Sequence, residues 1–272
     1  MDEARAQTMD ALGYAERPFA HGGIEHPVYS KGSGRPVLLL HELPGLAQPC
    51  LNFAERLLAA GYAVHVPLLV GNVLERAPLT NTRRLCISAE FARLQVGKSA
   101  PITEWLRALA ADIVERQGGA KVGVIGMCLT GAFVIPLVLT PGVVAGVISQ
   151  PAIPLNKFYL ATGIQRGSEW RSQLNIHDDE LRDAAACAKR DGKHLLIQRY
   201  VNDRLCPAQR VQRIAEAFGT AAKVHEYDEP SLLRRVLNPH ALLTEEYDKR
   251  PDEDAATRLA LRRVLAFLDE HL

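Results

Sequence analysis

Several features are scarce or missing in this 272-residue chain, and each absence narrows its function. Five cysteines (Cys50, Cys86, Cys128, Cys187, Cys206) are scattered and odd in number, with no CxxC pair and no Cys/His cluster. A disulfide framework and a zinc site are therefore not expected. No charge of either sign dominates. Lys and Arg total 32 against 31 Asp and Glu, a net charge of +1, which supplies no basic field for nucleic acid or an anionic membrane. Long hydrophobic runs are lacking too. PLVLTPGVVAGVI is broken by Pro and Gly and is too short to span a bilayer, and MDEARAQTMDALGYAERPF has no apolar stretch of a secretion signal. Repeats, low-complexity tracts and linkers do not divide the chain. The expectation is one domain over 1–272, in a reducing, cytoplasmic setting.

Short apolar runs alternate with helix-period segments. Strands are expected in HPVYSKGSG (26–34), RPVLLLHEL (35–43), AVHVPLLV (63–70), KVGVIGM (121–127), VAGVISQP (to about Ser149), HLLIQRYV and AKVHEYD. Helices are expected in PCLNFAERLLAAGY, ITEWLRALAADIVERQ, LTGAFVIPLVL, DDELRDAAACAKRDG, PAQRVQRIAEAFG and from about Asp252 to His271. Residues 71–100 carry mixed signals, and 152–176 read as a loop whose Phe158, Tyr159 and Trp170 could cap a pocket. This alternation predicts an α/β fold with a mostly parallel sheet covered on both faces. In such sheets sites form beyond the carboxyl ends of the strands.

Those ends carry the chemistry. Cys128 follows KVGVIGM and opens a helix-period run, with Gly126 two residues before it and Gly131 three after. Small residues there permit a nucleophile elbow, in which strand and helix backbones pass close together. Asp203, in RYVNDRLCP, lies between a strand and a helix, and His240, in VLNPHALLT, follows the last strand. Nucleophile, acid and histidine thus occur in the α/β-hydrolase order. Each residue alone has a plainer reading: a cysteine in an apolar stretch usually packs, and an Asp before a helix usually caps. Three in order, each at a strand end, form a more specific pattern. Thr130 stands where the simplest elbow pattern has glycine, and His41 is expected to serve structure on the other face of its strand.

The stretches HPVYSKGSGRPVLLLHELPGL, AERLLAAGYAVHVPLLVG, VGVIGMCLTGAF, VISQP, NDRLCPAQR and PHALLTEE resemble the dienelactone hydrolase family of α/β-hydrolases. The resemblance spans about 20–247 and includes a branch with Thr at the position of Thr130. It implies Cys128 as nucleophile, His240 as general base, Asp203 as the histidine's partner, and Glu42 as a carboxylate that helps generate the thiolate. It also implies the backbone N–H groups of Leu43 and Leu129 as oxyanion donors. Members acting on dienelactone carry a carboxylate-binding arginine shortly after the histidine. HALLTEE has none, which points away from dienelactone itself. A second family arginine precedes the elbow, where Arg83, Arg84 and Arg93 are candidates. The implied activity is cofactor-free and metal-free, carboxymethylenebutenolidase-like hydrolysis of a small-molecule ester or lactone, by a monomer or homodimer, through a Cys–His–Asp triad and a thioester. The alternatives are a thioesterase or general carboxylesterase at the same site, or a non-catalytic binding protein of this fold.

Overall fold

The computed structural model describes residues 8–43, 45–74, 100–153, 169–229, 239–252 and 255–272. Eight strands form one sheet in the order β1-β2-β4-β3-β5-β6-β7-β8: β1 Ala15–His21, β2 Ile24–Lys31, β3 Arg35–Leu40, β4 Tyr62–Pro67, β5 Val122–Met127, β6 Val143–Ser149, β7 His194–Tyr200 and β8 Ala222–Tyr227. The pairs β1–β2 and β2–β4 are antiparallel, and the other five are parallel.

Strand alternation explains why the central runs are apolar throughout. In β3, Leu38 and Leu40 face one core while Val37 and Leu39 face the other. The first core packs under helices α2 (Pro101–Arg116), α4 (Asp178–Asp191) and α5 (Ala208–Phe218). The second packs under α1 (Gln48–Ala59) and α6 (Ala256–His271). Helix ends follow local chemistry. Pro101 opens α2, where a missing N–H costs nothing. The acids Asp178, Asp179 and Glu180 crowd the first turn of α4, and Gly192, at φ +63°, ends it.

Three expectations need correction. β1 was not foreseen: it is an exposed edge strand carrying Pro18 and charges, so it has little apolar alternation, and the Gly22–Gly23 turn joins it to β2. β3 ends at Leu40 rather than Leu43, so Glu42 lies two residues past the ladder. LTGAFVIPLVL is not one helix. A 3-10 turn, Cys128–Phe133, leads into a single α turn, α3 (Val134–Leu137), whose first-turn geometry accommodates Pro136. The dipole behind Cys128 is therefore shorter than the sequence suggested.

Parallel register sets the strand ends on one rim. Leu40 pairs with Gly126, Met127 with Ser149, Ser149 with Gln198, and Tyr200 with Tyr227. Glu42, Cys128, Gln150 and Asp203 follow those ends within three residues.

Candidate active site

Cys128 stands immediately after β5 with φ +54°, one of three described non-glycine residues in the left-handed region. An L-residue there is unfavourable and persists only when its surroundings hold it. Four contacts do so. The Ala152 N–H donates to the Cys128 carbonyl at 2.9 Å. Thr130 Oγ1 accepts from the Met127 N–H at 3.1 Å, and its own proton faces the carbonyls of Met127 (2.9 Å) and Leu40 (3.1 Å). Thr130 thus ties the elbow to the end of β3, work a glycine could not do. Gly126 leaves the room: a Cβ there would lie 2.5 Å from the Thr130 carbonyl oxygen. Cys128 itself is partly accessible.

His240 Nδ1 lies 2.6 Å from Asp203 Oδ2. Asp203 is fixed in turn by the Leu205 and Cys206 N–H groups, which donate to Oδ1 at 2.9 and 3.2 Å. A carboxylate at that distance makes Nδ1 the protonated nitrogen and leaves Nε2 as the ring nitrogen with a free lone pair. That Nε2 is buried, and the imidazole lies within hydrogen-bond reach of the Cys128 thiol. Burial alone would depress the imidazole pKa. The charges of Asp203 and Cys128 outweigh it, and His240 is raised well above 6.5. Cys128, His240 and Asp203 are therefore brought together. Arg250, ten residues after His240, pairs with Glu229 and with Glu246, the latter at 2.8 Å.

Glu42 is buried at the same rim. Its Oε1 accepts from the Thr244 hydroxyl, and its Oε2 from Gln150 Nε2 at 3.4 Å. No hydrogen bond to Cys128 is among them. Burial pushes the Glu42 pKa up, and Thr244, His240 and Gln150 pull it back only in part. Leu43 follows Glu42, and Leu129 is the second residue of the elbow turn. Arg83, Arg84 and Arg93 lie outside the described residues, as do Cys86, Phe158 and Tyr159. Trp170 is described, and its ring lies against Arg210.

Three residues here carried no sequence assignment. Gln150 and Thr244 hold Glu42. Arg210 is fully buried and donates to the carbonyls of Pro151 (3.1 Å), Leu205 (2.7 Å), Trp170 (2.9 Å) and Gln173 (2.7 Å), joining loops on two sides of the elbow. The only sequence signal was adjacency: Gln150 in VISQP and Thr244 in HALLTEE sit beside strand-end or triad residues. Cys50, Cys187 and Cys206 are buried, and burial raises each thiol pKa, as expected of inert cysteines.

His41 is structural in its contacts. Its Nε2 accepts from the Leu69 N–H at 2.9 Å, so Nδ1 carries the proton and donates to the Glu42 carbonyl at 3.0 Å. That arrangement requires neutral imidazole, and burial lowers its pKa to about 4. His65, beside Ser30 Oγ at 2.8 Å, is also lowered to about 4, chiefly by burial. Both folded values lie below the ordinary 6.5, so the unfolded chain binds these protons first. Their contribution is complete above pH 6.5 and is lost between about pH 6.5 and 4, by up to about 3 kcal/mol for His41. His240 acts in the opposite sense. We expect denaturant midpoints to fall from pH 7 to pH 5, and His65→Gln to flatten that fall. An unchanged slope in His65→Gln would exclude His65 from it.

The dienelactone hydrolase family model matches residues 26–272. Among curated protein sequences no relative matches. Solved structures with a similar fold include an esterase of Pyrococcus furiosus, at 16% identity and TM-score 0.60, covering 96% of this chain and 95% of that one. A dienelactone hydrolase-like promiscuous phosphotriesterase from metagenomic libraries aligns at 15% identity and TM-score 0.60, over 94% and 97%. An esterase domain of a Rhodothermus marinus protein aligns at 14% and 0.55, over 95% and 99%. At such identities these likenesses speak for the fold. Because the family match spans residues 26–272, nearly the whole chain, this protein belongs to the dienelactone hydrolase family, and its fold is that of the α/β-hydrolases.

Proposed function

We propose that the protein is a carboxylic ester hydrolase, carboxymethylenebutenolidase-like, that cleaves a small ester or lactone through Cys128 without a cofactor. The observation that carries this reading is the left-handed Cys128 at the β5 end, within electrostatic reach of a His240 bound to Asp203 at 2.6 Å.

In this reading Glu42 accepts the thiol proton as substrate binds, and His240 assists by facing the thiolate that forms. The thiolate attacks the acyl carbon, and the oxyanion is met by the N–H groups of Leu43 and Leu129. Collapse expels the alcohol or enol and leaves a thioester on Cys128. The intermediate ejects whichever group leaves more readily, and a thiolate leaves more readily than a simple alkoxide. Productive acylation therefore favours enol and phenol esters. Thioester formation also removes the Cys128 negative charge, one of the causes of the raised His240 pKa. The imidazole then deprotonates more easily and can draw a proton from water, with Asp203 holding its tautomer. An anionic substrate would take its counter-charge from Arg83, Arg84 or Arg93. The partner in this reading is the small molecule alone, the protein acting in the cytoplasm as a monomer or homodimer.

The test is a short incubation with an aryl ester in excess, an acid quench, and intact-mass measurement. One acyl group per chain, mapped by digestion to Cys128, is expected. Acylation elsewhere, or none during active turnover, would sink the thioester route. Faster cleavage of acyl thioesters than of aryl or enol esters would identify a thioesterase at the same site.

A further inference from the structure

Gln150 shares the unusual backbone of Cys128. It follows β6 with φ +37°, is fully buried, and is not a glycine. A turn alone at this position would be served more easily by glycine, which pays no Cβ penalty there. The side chain therefore has a use, and its contacts state it. The Ser149 hydroxyl donates to Gln150 Oε1. A hydroxyl donating to the carbonyl oxygen turns the amide NH2 away, toward Glu42, and Nε2 lies 3.4 Å from Glu42 Oε2. The backbone is pinned on both sides: the Gln150 N–H donates to the Gln198 carbonyl at 2.7 Å, and Arg210 holds the carbonyl of Pro151 at 3.1 Å.

The other Glu42 oxygen is held from a different part of the chain. Thr244 is buried four residues after His240 and donates its hydroxyl to Oε1. The described hydrogen bonds to this buried carboxylate are thus from two neutral donors, one on the β6 end and one on the histidine segment, with no cation among them. The charged and titratable groups that face it are His240, which favours its ionisation, and Glu245 and Cys50, which oppose it.

Resting on the reading of Glu42 as an acceptor of the Cys128 proton, we infer that Gln150 and Thr244 are positioning residues that orient the Glu42 carboxylate and keep it able to take that proton. Neutral donors stabilise a carboxylate more than the carboxylic acid, so removing one leaves Glu42 protonated to a higher pH. An acid Glu42 cannot accept the thiol proton, and acylation of Cys128 slows. Thioester hydrolysis, which uses His240, is spared.

The experiment measures Cys128 acylation by an aryl ester in rapid mixing from pH 5 to 9, with thioester hydrolysis measured in the same runs. Thr244→Val keeps the shape and removes the hydroxyl. Thr244→Ser keeps the hydroxyl and controls for packing. Gln150→Glu sets a second carboxyl beside Glu42. We expect Thr244→Val to slow acylation at pH 7 about tenfold and to move the acidic limb of its pH profile up by about one unit. Thr244→Ser should restore the parental limb, and Gln150→Glu should move it up as well. Thioester hydrolysis should change less than threefold throughout. An unmoved limb in Thr244→Val, or equal slowing of both steps, overturns the inference and leaves a packing role. Glu42→Gln separates this from the reading beneath it. Slow acylation in Glu42→Gln with an unmoved limb in Thr244→Val removes only the positioning role, whereas parental acylation in Glu42→Gln removes Glu42 and both its partners from the mechanism.

Discussion

Cys128→Ala is expected to abolish turnover of an aryl or enol ester, by about four orders of magnitude or more, while the melting temperature stays near that of the parent. The reasoning joins the backbone to the chemistry. Alanine at φ +54° is no more strained than cysteine, and only Sγ is lost from a partly accessible position, so no large cavity opens. What disappears is the atom proposed to bond the acyl carbon. Cys128→Ser should retain little activity, because an alcohol needs a stronger base than a thiol does. Cys128→Gly sharpens the point: it relieves the left-handed strain and is expected to raise stability by about 1 kcal/mol while remaining inactive. Circular dichroism melts and steady-state turnover check these together. An Ala variant keeping a tenth of parental activity would end the case for Cys128 as nucleophile.

His240→Ala is expected to have the next largest effect, a loss of about 10²–10⁴ in turnover, and a distinctive time course. With Glu42 in place the thiol can still be acylated, but no base remains to activate water. Mixing with an aryl ester should release up to about one equivalent of leaving group and then stall, with the acyl group on Cys128. Asp203→Asn should cost less, about a hundredfold or more, because in the proposed mechanism Asp203 orients the ring and stabilises the imidazolium without taking part in bond changes. Its Oδ1 bonds to the Leu205 and Cys206 N–H groups can persist in Asn. Its other terminus then presents either an NH2 group that opposes the Nδ1 proton or an oxygen without charge. Parental turnover in His240→Ala would break the triad even with Cys128 essential.

The order of chemistry along the chain was legible without coordinates because it rests on short-range rules. A buried parallel strand must be apolar on both faces, so VLLL and VGVIGM declare themselves, and polar or small residues after them mark a rim. Cys128, Asp203 and His240 were found as strand-end residues in a known order, and the likeness to the dienelactone hydrolase family was carried by the same stretches. Local rules failed where local signals were weak or mixed: the exposed, Pro18-bearing β1 lacks alternation, and Pro136 in the run after Cys128 fits a first turn, not a long helix.

Tertiary structure alone decided which side chains face one another. Thr130 looked like a departure from the elbow pattern, and its hydroxyl joins β5 to β3 across 90 residues of chain. Glu42 is held by Gln150 and Thr244, 108 and 202 residues away. Arg210 sits in the first turn of a helix, where a surface role would be the ordinary reading, yet it is buried on four carbonyls from separate loops. Hydrophobic periodicity and turn chemistry are written in neighbouring residues, so a sequence displays them. A hydrogen bond across the rim depends on strand order and register, which arise only when the whole sheet has closed around its two cores.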